Sequence, residues 1–306
     1  MPYLKTLKLL IMKKIAVLIL TLLLAASCAD SNKRYVRFAI ARMDKQGLFA
    51  EGPAWDSVKT VALAAKPESL DEAKEIVTAA LKIAGGKHSF LLPANLAQEE
   101  ATREWETPSL RMLDSIAVIK LPPFAGNMEE GAKYCRAVLD SLPDTVSGAI
   151  IDLRGNSGGN MYPMIAAVHR FLQDDEIIRF RGRDHFNAYH IRNICATFGI
   201  TPGEQIDCPV AVLTDTLTAS SGEAVLICFR GMPRARTFGM QTAGYASGNR
   251  TFDMPDGSKL VVTASCDVAR TGEEFCDDPI VPDIPTETPL EDALAWLREQ
   301  AASSSE

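Results

Sequence analysis

The chain has 306 residues, of which 47% are hydrophobic and 23% charged, and its net charge is -7. This composition is ordinary for a folded protein with one large domain or two modest ones. No basic block interleaved with aromatic residues occurs, which argues against nucleic acid as a partner.

The N-terminus has the pattern of an export signal. Lys13 and Lys14 precede an apolar run from Ile15 to Leu24, which is too short for a membrane span of about 20 residues. Small residues and Cys28 follow, in an order similar to the lipobox of bacterial lipoproteins, where the cysteine is acylated. We therefore expect an exported protein held in the cell envelope by a lipid anchor at Cys28, facing the periplasm or the cell surface. The alternative is a plain signal peptide that contains a cysteine.

The segment after this signal, residues 29–108, carries helical patterns. The clearest begins at Ser69, a capping residue type, with Glu72 three positions later as in a capping box. An apolar stripe of helical spacing follows, and Gly85–Gly86 end it. His88 therefore lies on a turn that leaves a helix.

Strand and helix patterns alternate from residue 109 to about residue 300. The apolar runs "SIAVIKLP", "GAIIDLRG" and "CPVAVLTD" each precede a helical pattern. This alternation predicts an α/β core with crossover connections. Residues 301–306 are serine-rich and are expected to fray.

The stretch "DLRGNSGGN", from Asp152 to Asn160, follows one of these strands and precedes a helix. Gly158 and Gly159 have no side chains, so their backbone N–H groups can face an anion or an oxyanion. A phosphate-binding loop is excluded, because the stretch lacks the Lys-Ser/Thr pair and the GxGxxG spacing. A tight glycine turn without a ligand is the remaining alternative.

The stretch "TASSGE" lies at the next strand-to-helix junction. Ser220 can expose its hydroxyl there while the N–H of Ser221 points into the same space. This arrangement would couple a nucleophile to an oxyanion donor. The competing interpretation is that Ser220 is an ordinary helix N-cap.

A serine nucleophile needs a base, and the pKa of histidine lies close enough to neutral pH for this role. The chain has four histidines, and only His88 is placed by a glycine turn. His169 falls in a helical pattern, and His185 and His190 fall in a polar segment. A surface histidine without a catalytic role is the alternative for His88.

The six cysteines after Cys28 can form disulfides in an exported protein. Cys266 and Cys276 flank a turn-like segment and are one candidate pair, and Cys195 and Cys208 are another. The two cysteines that remain, Cys135 and Cys228, lie in apolar helical patterns and are expected to be buried thiols. No cysteine or histidine spacing is typical of zinc.

In chain order, the segments "KHS", "DLRGNSGG", "TASSGE", "GMQTAGYASGN" and "IVPDI" resemble the C-terminal processing, or tail-specific, serine peptidase family, which includes tricorn protease. "DLRGNSGG" and "TASSGE" are its most specific marks, and the resemblance covers roughly Leu70 to Trp296. It implies a crotonase-like or ClpP-like α/β core with a mixed sheet and flanking helices, preceded by a small helical region.

The resemblance also implies roles for single residues. Ser220, three positions before the glutamate of "TASSGE", corresponds to the nucleophile. The oxyanion donors map to the backbone of Gly158, Gly159 and Ser221. The implied activity is hydrolysis of a peptide or protein substrate, with no metal or other cofactor.

The base and its orienting partner depart from the family's pattern. The processing proteases use a Ser–Lys dyad, but Tyr245 stands at the lysine position. The tricorn-like branch uses a histidine, and "GGKHSF" resembles its histidine segment, so His88 is the expected base. That branch also uses a glutamate, whose position here is Cys276. The orienting residue stays open among four candidates: Ser89, Glu274, Asp277 and Asp278.

Many family members insert a PDZ domain before the core. The chain advances only 27 positions from Ser89 to Ile116, which is too few for such a domain, so none is expected. We expect a serine peptidase, and the alternative is a catalytically inactive lipoprotein of the same fold that binds peptides or another ligand.

Overall fold

The computed structural model describes residues 13–14, 30–173 and 175–303. Cys28 and most of the expected export signal lie outside these residues. Within them, no helix combines the length and apolar character needed to cross a membrane. The chain divides into two compact units. We call Met1–Ala94 with Arg250–Val262 the N-terminal unit, and Asn95–Asn249 with Thr263–Glu306 the core unit.

From residue 30 to residue 92, the N-terminal unit contains three helices and a short strand. Residues 30–46 are helical (α1), and α2 (Gly52–Ala64), α3 (Leu70–Gly85) and β1 (Phe90–Leu92) follow. One side of each helix is apolar and faces the centre of the unit, as amphipathic helices require. The helices contribute large side chains to this small core, among them Tyr35, Ile40, Met43, Trp55 and Leu81.

Helix α3 confirms the predicted helix and its N-cap. Ser69 Oγ accepts a hydrogen bond from the Glu72 N–H at 3.1 Å. In a capping box the Glu72 carboxylate would accept from the N–H of Ser69. Here it accepts from the N–H of Glu68, at 2.8 Å. The helix ends at Gly85, and Gly86 adopts the positive φ of 68° that favours glycine.

The N-terminal unit also includes residues 250–262, the turn end of a β-hairpin from much later in the chain. The hairpin joins β9 (Ser247–Asp253) to β10 (Lys259–Val268). The first residues of β10 pair with β1 in antiparallel register. An ion pair of 2.8 Å between Lys74 and Asp256 adds a contact between α3 and the hairpin turn. Sequence patterns did not group residues 250–262 with the N-terminal helices.

The core unit contains a mixed six-stranded sheet, which confirms the predicted α/β class. Its strand order is β12-β8-β7-β4-β3-β2, and every neighbouring pair is parallel except β2 with β3. The strands are β2 (Ser109–Leu113), β3 (Ile116–Lys120), β4 (Gly148–Asp152), β7 (Val210–Thr214), β8 (Ala235–Gly239) and β12 (Ile284–Pro285).

Helices cover both faces of this sheet. On one face, Ile151 and Val212 belong to a core shared with three crossover helices. These are α5 (Met128–Leu139), α6 (Met161–Val168) and α8 (Ser221–Phe229). On the other face, Ile150 and Leu213 pack with α9 (Pro289–Ser303). Adjacent strand residues therefore point to opposite faces, as the strand period of two requires.

Two segments contain elements that the sequence patterns did not predict. The stretch before the core contains a helix, α4 (Ala94–Ala101), which is followed by β2. The polar segment with His185 and His190 belongs to the antiparallel hairpin of β5 (Glu176–Gly182) and β6 (Phe186–His190), which runs into α7 (Ile191–Thr197). Only β1, α4 and β2 lie between Ser89 and Ile116, so the expected absence of a PDZ domain there is confirmed.

One of the two candidate disulfides forms. Cys266 is bonded to Cys276, which ties β10 to the segment after β11 (Glu274–Phe275). The pairing of Cys195 with Cys208 is wrong, because both are free thiols. Each is buried in the apolar core, and burial raises the pKa of these thiols to about 11 and about 12 respectively. Cys135 and Cys228 are buried thiols, as expected.

Candidate active site

Two loops meet at one edge of the core sheet. The glycine-rich loop follows β4 and the serine loop follows β7, and because these strands are parallel neighbours, their carboxyl ends lie side by side. Asn156 O accepts from the N–H of Ala219 at 2.9 Å, and the Thr218 hydroxyl donates to Leu153 O at 3.0 Å. The two most specific sequence marks are therefore bonded to each other.

Ser220 occupies the junction between β7 and α8 in an unusual backbone conformation. Its φ is 50° and its ψ is -115°, whereas N-cap residues usually adopt the β region. Only one other non-glycine residue with positive φ occurs among the described residues, Asp114. The Glu223 N–H approaches the Ser220 hydroxyl as in a capping box, but no side-chain cap bond of regular geometry forms. Backbone strain of this kind is typical of functional residues.

Glu223 holds the strained serine in place, a role that the sequence analysis did not identify. Its buried carboxylate accepts from the N–H of Ser220 at 2.8 Å and from those of Gly244 and Tyr245 at 2.9 and 2.7 Å. It also accepts from the Thr242 hydroxyl. Burial raises the pKa of Glu223, and these four hydrogen bonds oppose the rise. The carboxylate therefore joins the serine turn to the segment that contains Tyr245.

Gly158 and Gly159 both need the conformational freedom of glycine. Their φ values are 102° and 116°. A Cβ at Gly158 would lie 2.8 Å from the Ser220 Cβ, and one at Gly159 would lie 2.1 Å from Phe124 O. The first glycine therefore lies directly beside Ser220, and neither position leaves room for a side chain.

The two glycines differ in what their N–H groups do. The N–H of Gly158, which is buried, donates to Asn156 Oδ1 at 2.9 Å. Gly159 is exposed, and no hydrogen-bond acceptor for its N–H occurs in the part of the chain that the structure describes. The N–H of Gly158 would have to leave Asn156 before it could donate to an oxyanion, whereas that of Gly159 would not.

Ser221 begins helix α8 and contributes in two ways. Its hydroxyl donates to Gly159 O at 2.8 Å, which fixes the glycine loop against the helix. Its N–H has no acceptor among the described residues, and it lies at the positive end of the helix dipole. A negative oxygen near Ser220 would be stabilised from this side.

His88 lies in the N-terminal unit on the turn after α3. The Ser89 hydroxyl donates to Gly85 O at 2.9 Å, and the Ser89 N–H donates to Gly86 O at 3.4 Å. Because that hydroxyl has given its only proton, Ser89 can act on an imidazole only as an acceptor. His88 is buried, and burial with the nearby Lys87 charge lowers its pKa to about 4. The imidazole is therefore neutral at pH 7.

The other candidate orienting residues lie on the last part of the core unit. Glu274 forms a bidentate ion pair with Arg181, which lowers the pKa of its carboxyl. Asp277 follows Cys276 directly and is half-buried, and Asp278 is exposed. Within the described residues, the one metal-like cluster is Cys266, Glu274 and Cys276, but its two sulfurs are joined to each other.

Comparisons of the sequence and of the fold with known proteins agree on one family. The model of peptidase family S41 matches residues 115–286. The chain is 31% identical to the nisin-resistance protein of Lactococcus lactis subsp. lactis over 88% of each chain. A lipoprotein from Streptococcus agalactiae shares 28% identity and the fold, with a TM-score of 0.80 over 88% of this chain and 96% of its own. The photosystem II D1 C-terminal processing protease shares the fold alone, with a TM-score of 0.60 and 13% identity over 87% of this chain and 97% of its own.

The family match contains both loops that meet at Ser220, and the similarity to the Lactococcus protein extends over most of the chain. This agrees with the resemblance noted from the sequence marks. The chain belongs to peptidase family S41, the C-terminal processing protease family.

Proposed function

We propose that the protein is an exported serine peptidase that cleaves peptide bonds through an acyl-enzyme on Ser220. The observation that carries the proposal is the strained backbone of Ser220, whose φ is 50°, directly beside Gly158. A cap residue does not need this conformation, since caps usually adopt the β region, whereas a nucleophile at such a turn can present its hydroxyl beside amide donors.

The proposed reaction is acyl transfer in two halves. His88 takes the proton of the Ser220 hydroxyl while Oγ forms a bond to the peptide carbonyl carbon. The N–H groups of Gly159 and Ser221 stabilise the oxyanion, and that of Gly158 contributes if it leaves Asn156. The proton then passes from His88 to the leaving amine as the C–N bond breaks. A water molecule, deprotonated by His88, hydrolyses the ester and restores Ser220.

We further propose nisin, or a similar peptide, as the substrate to test first. This rests on the similarity to the nisin-resistance protein of Lactococcus lactis, which extends over 88% of this chain. Without a PDZ domain between the N-terminal helices and the core, selection of the substrate falls to the active-site cleft and to the N-terminal unit.

The site of action that we propose is the cell envelope, with Cys28 acylated. Two observations support this proposal: the lipobox-like sequence that ends at Cys28, and the similarity to a lipoprotein from Streptococcus agalactiae. The mass of the N-terminal peptide from cells would test it directly. An unmodified Cys28, or a mature chain that starts elsewhere, would contradict the lipid anchor.

The second candidate function is a peptide-binding lipoprotein without activity. The observation that favours it is Tyr245, which stands at the lysine position of the Ser–Lys members. The N–H of Tyr245 donates to Glu223, so this residue remains part of the site in either case.

Hydrolysis of nisin by the purified mature chain separates the two candidates. We expect cleavage products in a mass spectrum, a loss of about 10⁴-fold or more in Ser220→Ala, and a loss of no more than about tenfold in Ser221→Ala, which keeps its backbone N–H. Tight binding of nisin without any product would favour the inactive lipoprotein.

A further inference from the structure

Helix α1 has a basic exposed side. Arg34, Arg37 and Lys45 are exposed, and Lys33 and Arg42 are half-buried beside them. Arg34, Arg37 and Lys45 lie within about 80° of one another around the helix, and Lys33 and Arg42 lie at the two edges of this solvent-facing side, which also carries Asp30. We call these five residues the α1 basic face. The opposite side of α1 supplies the buried core of the N-terminal unit.

The α1 basic face contrasts with the rest of the protein in charge. Residues 30–46 contain five basic residues and two acidic ones, Asp30 and Asp44, whereas the whole chain has a net charge of -7. Asp44 accepts from Trp55 and Lys59. Among the described residues, no carboxylate forms an ion pair with Arg34 or Arg37. Positive charge is therefore concentrated on a surface that the fold leaves open.

Arg42 shows that part of this face is also ordered. Its guanidinium lies 4.5 Å from the centre of the Phe38 ring and 5.6 Å from that of Phe252. Contacts of this kind restrict an arginine side chain without neutralising its charge. The face therefore presents at least one positive charge that is held in place by aromatic contacts.

Cys28 lies two positions before residue 30 in the sequence. Residue 30 is already helical, and two residues of chain span at most about 7 Å. An acyl group on Cys28 would therefore hold the start of α1 within about one Debye length, roughly 8–10 Å, of the lipid surface. At that distance, basic side chains are attracted to anionic headgroups with little screening.

We propose that the α1 basic face binds a bilayer surface that contains anionic lipid headgroups and thereby orients the anchored protein. The inference rests on the proposed lipid anchor at Cys28. Because the basic residues extend over about three turns of α1, their attraction favours a helix that lies along the surface. Two attachments, one acyl and one electrostatic, bind a membrane more stably than one chain alone.

The test uses the mature chain with Cys28→Ala, which cannot be acylated. Its partition onto vesicles of neutral phosphatidylcholine is compared with that onto vesicles containing about 30% phosphatidylglycerol. The variant is Arg34→Glu with Arg37→Glu. The matched control is Arg111→Glu with Arg136→Glu, which makes the same change in net charge at two exposed residues of the core unit. Thermal unfolding of each variant checks that it folds, and Arg34→Gln with Arg37→Gln replaces the first variant if it does not.

We expect the unaltered mature chain to prefer the anionic vesicles and to release from them at high salt. A cation near such a surface contributes roughly a fivefold increase in partition, so losing two should lower it by about 30-fold or more. The control should retain most of its binding. Equal binding to both vesicle types, or equal losses in variant and control, would overturn the proposal.

The lipid anchor is tested separately by the mass of the N-terminal peptide from cells. Preferential binding of the non-acylated chain to anionic vesicles, lost in the Arg34 and Arg37 variant, supports binding by the α1 basic face. An unmodified Cys28 would overturn the part of the proposal in which this face orients an anchored protein. If Cys28 is acylated but the chain shows no preference for anionic vesicles, the proposal that the α1 basic face binds the bilayer is overturned, and the proposed function is unaffected.

Discussion

The turn that carries Ser220 and the turn that carries His88 are built in different ways. The serine turn is fixed by residues far away in the chain, since Ser221 is bonded to Gly159, and Glu223 joins Ser220 to Thr242. The histidine turn is closed by local bonds, from Ser89 to Gly85 and to Gly86. The position of the nucleophile is thus determined by the packing of the whole sheet edge, whereas that of the proposed base depends on how one helix ends.

The difference extends to electrostatics. Around Ser220 the buried charge of Glu223 is satisfied by four hydrogen bonds. At His88, burial makes the charged form unfavourable and lowers the pKa of the imidazole to about 4. The serine turn is therefore a hydrogen-bonded frame, and the histidine turn supplies a neutral nitrogen. The experiments below disturb one turn or the other.

The largest effect is expected from removal of the proposed base. His88→Ala should lower kcat/KM by about 10⁴-fold or more, because loss of one member of a nucleophile–base pair costs nearly as much as loss of both. The double variant with Ser220→Ala should therefore be no slower than Ser220→Ala alone. Full activity of His88→Ala in a peptidase assay would assign the base to another residue.

A smaller loss is expected from Gly159→Ala. A Cβ there would lie 2.1 Å from Phe124 O, so the backbone must shift and the oxyanion donor moves with it. Loss of one such donor lowers kcat by about 10²–10³-fold. Gly155→Ala is the matched control, since its φ is also positive, at 74°, but nothing lies within 4 Å of its Cβ. Equal effects of the two substitutions would show that backbone strain alone is responsible.

The pH dependence of kcat/KM should report the lowered pKa of His88. If His88 is the base, the acid limb of kcat/KM lies near pH 4, because the group must be neutral and its pKa is lowered to about 4. The rate should fall about tenfold for each pH unit below that value. A limb near pH 6.5 would mean that His88 either is not the base or is not desolvated.

The lowered pKa of His88 also affects the free energy of unfolding. Because the folded protein disfavours the protonated imidazole, acid should destabilise the fold. Unfolded histidine binds a proton below about pH 6.5, whereas folded His88 resists it down to about pH 4. Stability is therefore fully present above pH 6.5 and falls, by up to about 3 kcal/mol, as the pH drops toward 4. Denaturant unfolding at each pH checks that the acid limb is not simply unfolding, and His88→Asn should remove this part of the pH dependence.

Much of this architecture could be predicted from local sequence, and the rest could not. The Ser69 cap, the glycine stop at Gly85 and the strand before Asp152 follow from neighbouring residues, and all are present in the structure. The role of Glu223 was missed because its partners Thr242, Gly244 and Tyr245 are about 20 residues away. The joining of residues 250–262 to the N-terminal unit depends on tertiary contacts of the same kind.

The sequence predicted residues of the candidate site, but not their hydrogen bonds or backbone conformations. The sequence stretches and their resemblance to the C-terminal processing proteases indicated Ser220 and the glycine pair, but only the structure distinguishes the bonded N–H of Gly158 from that of Gly159. Strain at Ser220 has no sequence signal, since serine is also the commonest kind of cap. The pairing of Cys195 with Cys208 was wrong because both residues pack into the apolar core as separate thiols.

The smallest effect on activity is expected from the disulfide. Replacing both Cys266 and Cys276 by serine opens a loop with a sequence separation of 10, which should lower the free energy of unfolding by roughly 3 kcal/mol. Because the hydrogen bonds that the Glu223 carboxylate accepts do not involve these residues, kcat should change by less than about tenfold. A much larger loss of activity in the folded variant would show that the segment after Cys276 takes part in catalysis.

The most direct test of the central claim is covalent labelling of the mature protein with a fluorophosphonate, followed by mass spectrometry of its peptides. Such probes react with activated serines, so we expect one adduct, on Ser220, that is absent from Ser220→Ala and strongly reduced in His88→Ala. Absence of any adduct on the folded wild-type protein, or an equal adduct in Ser220→Ala, would contradict the account.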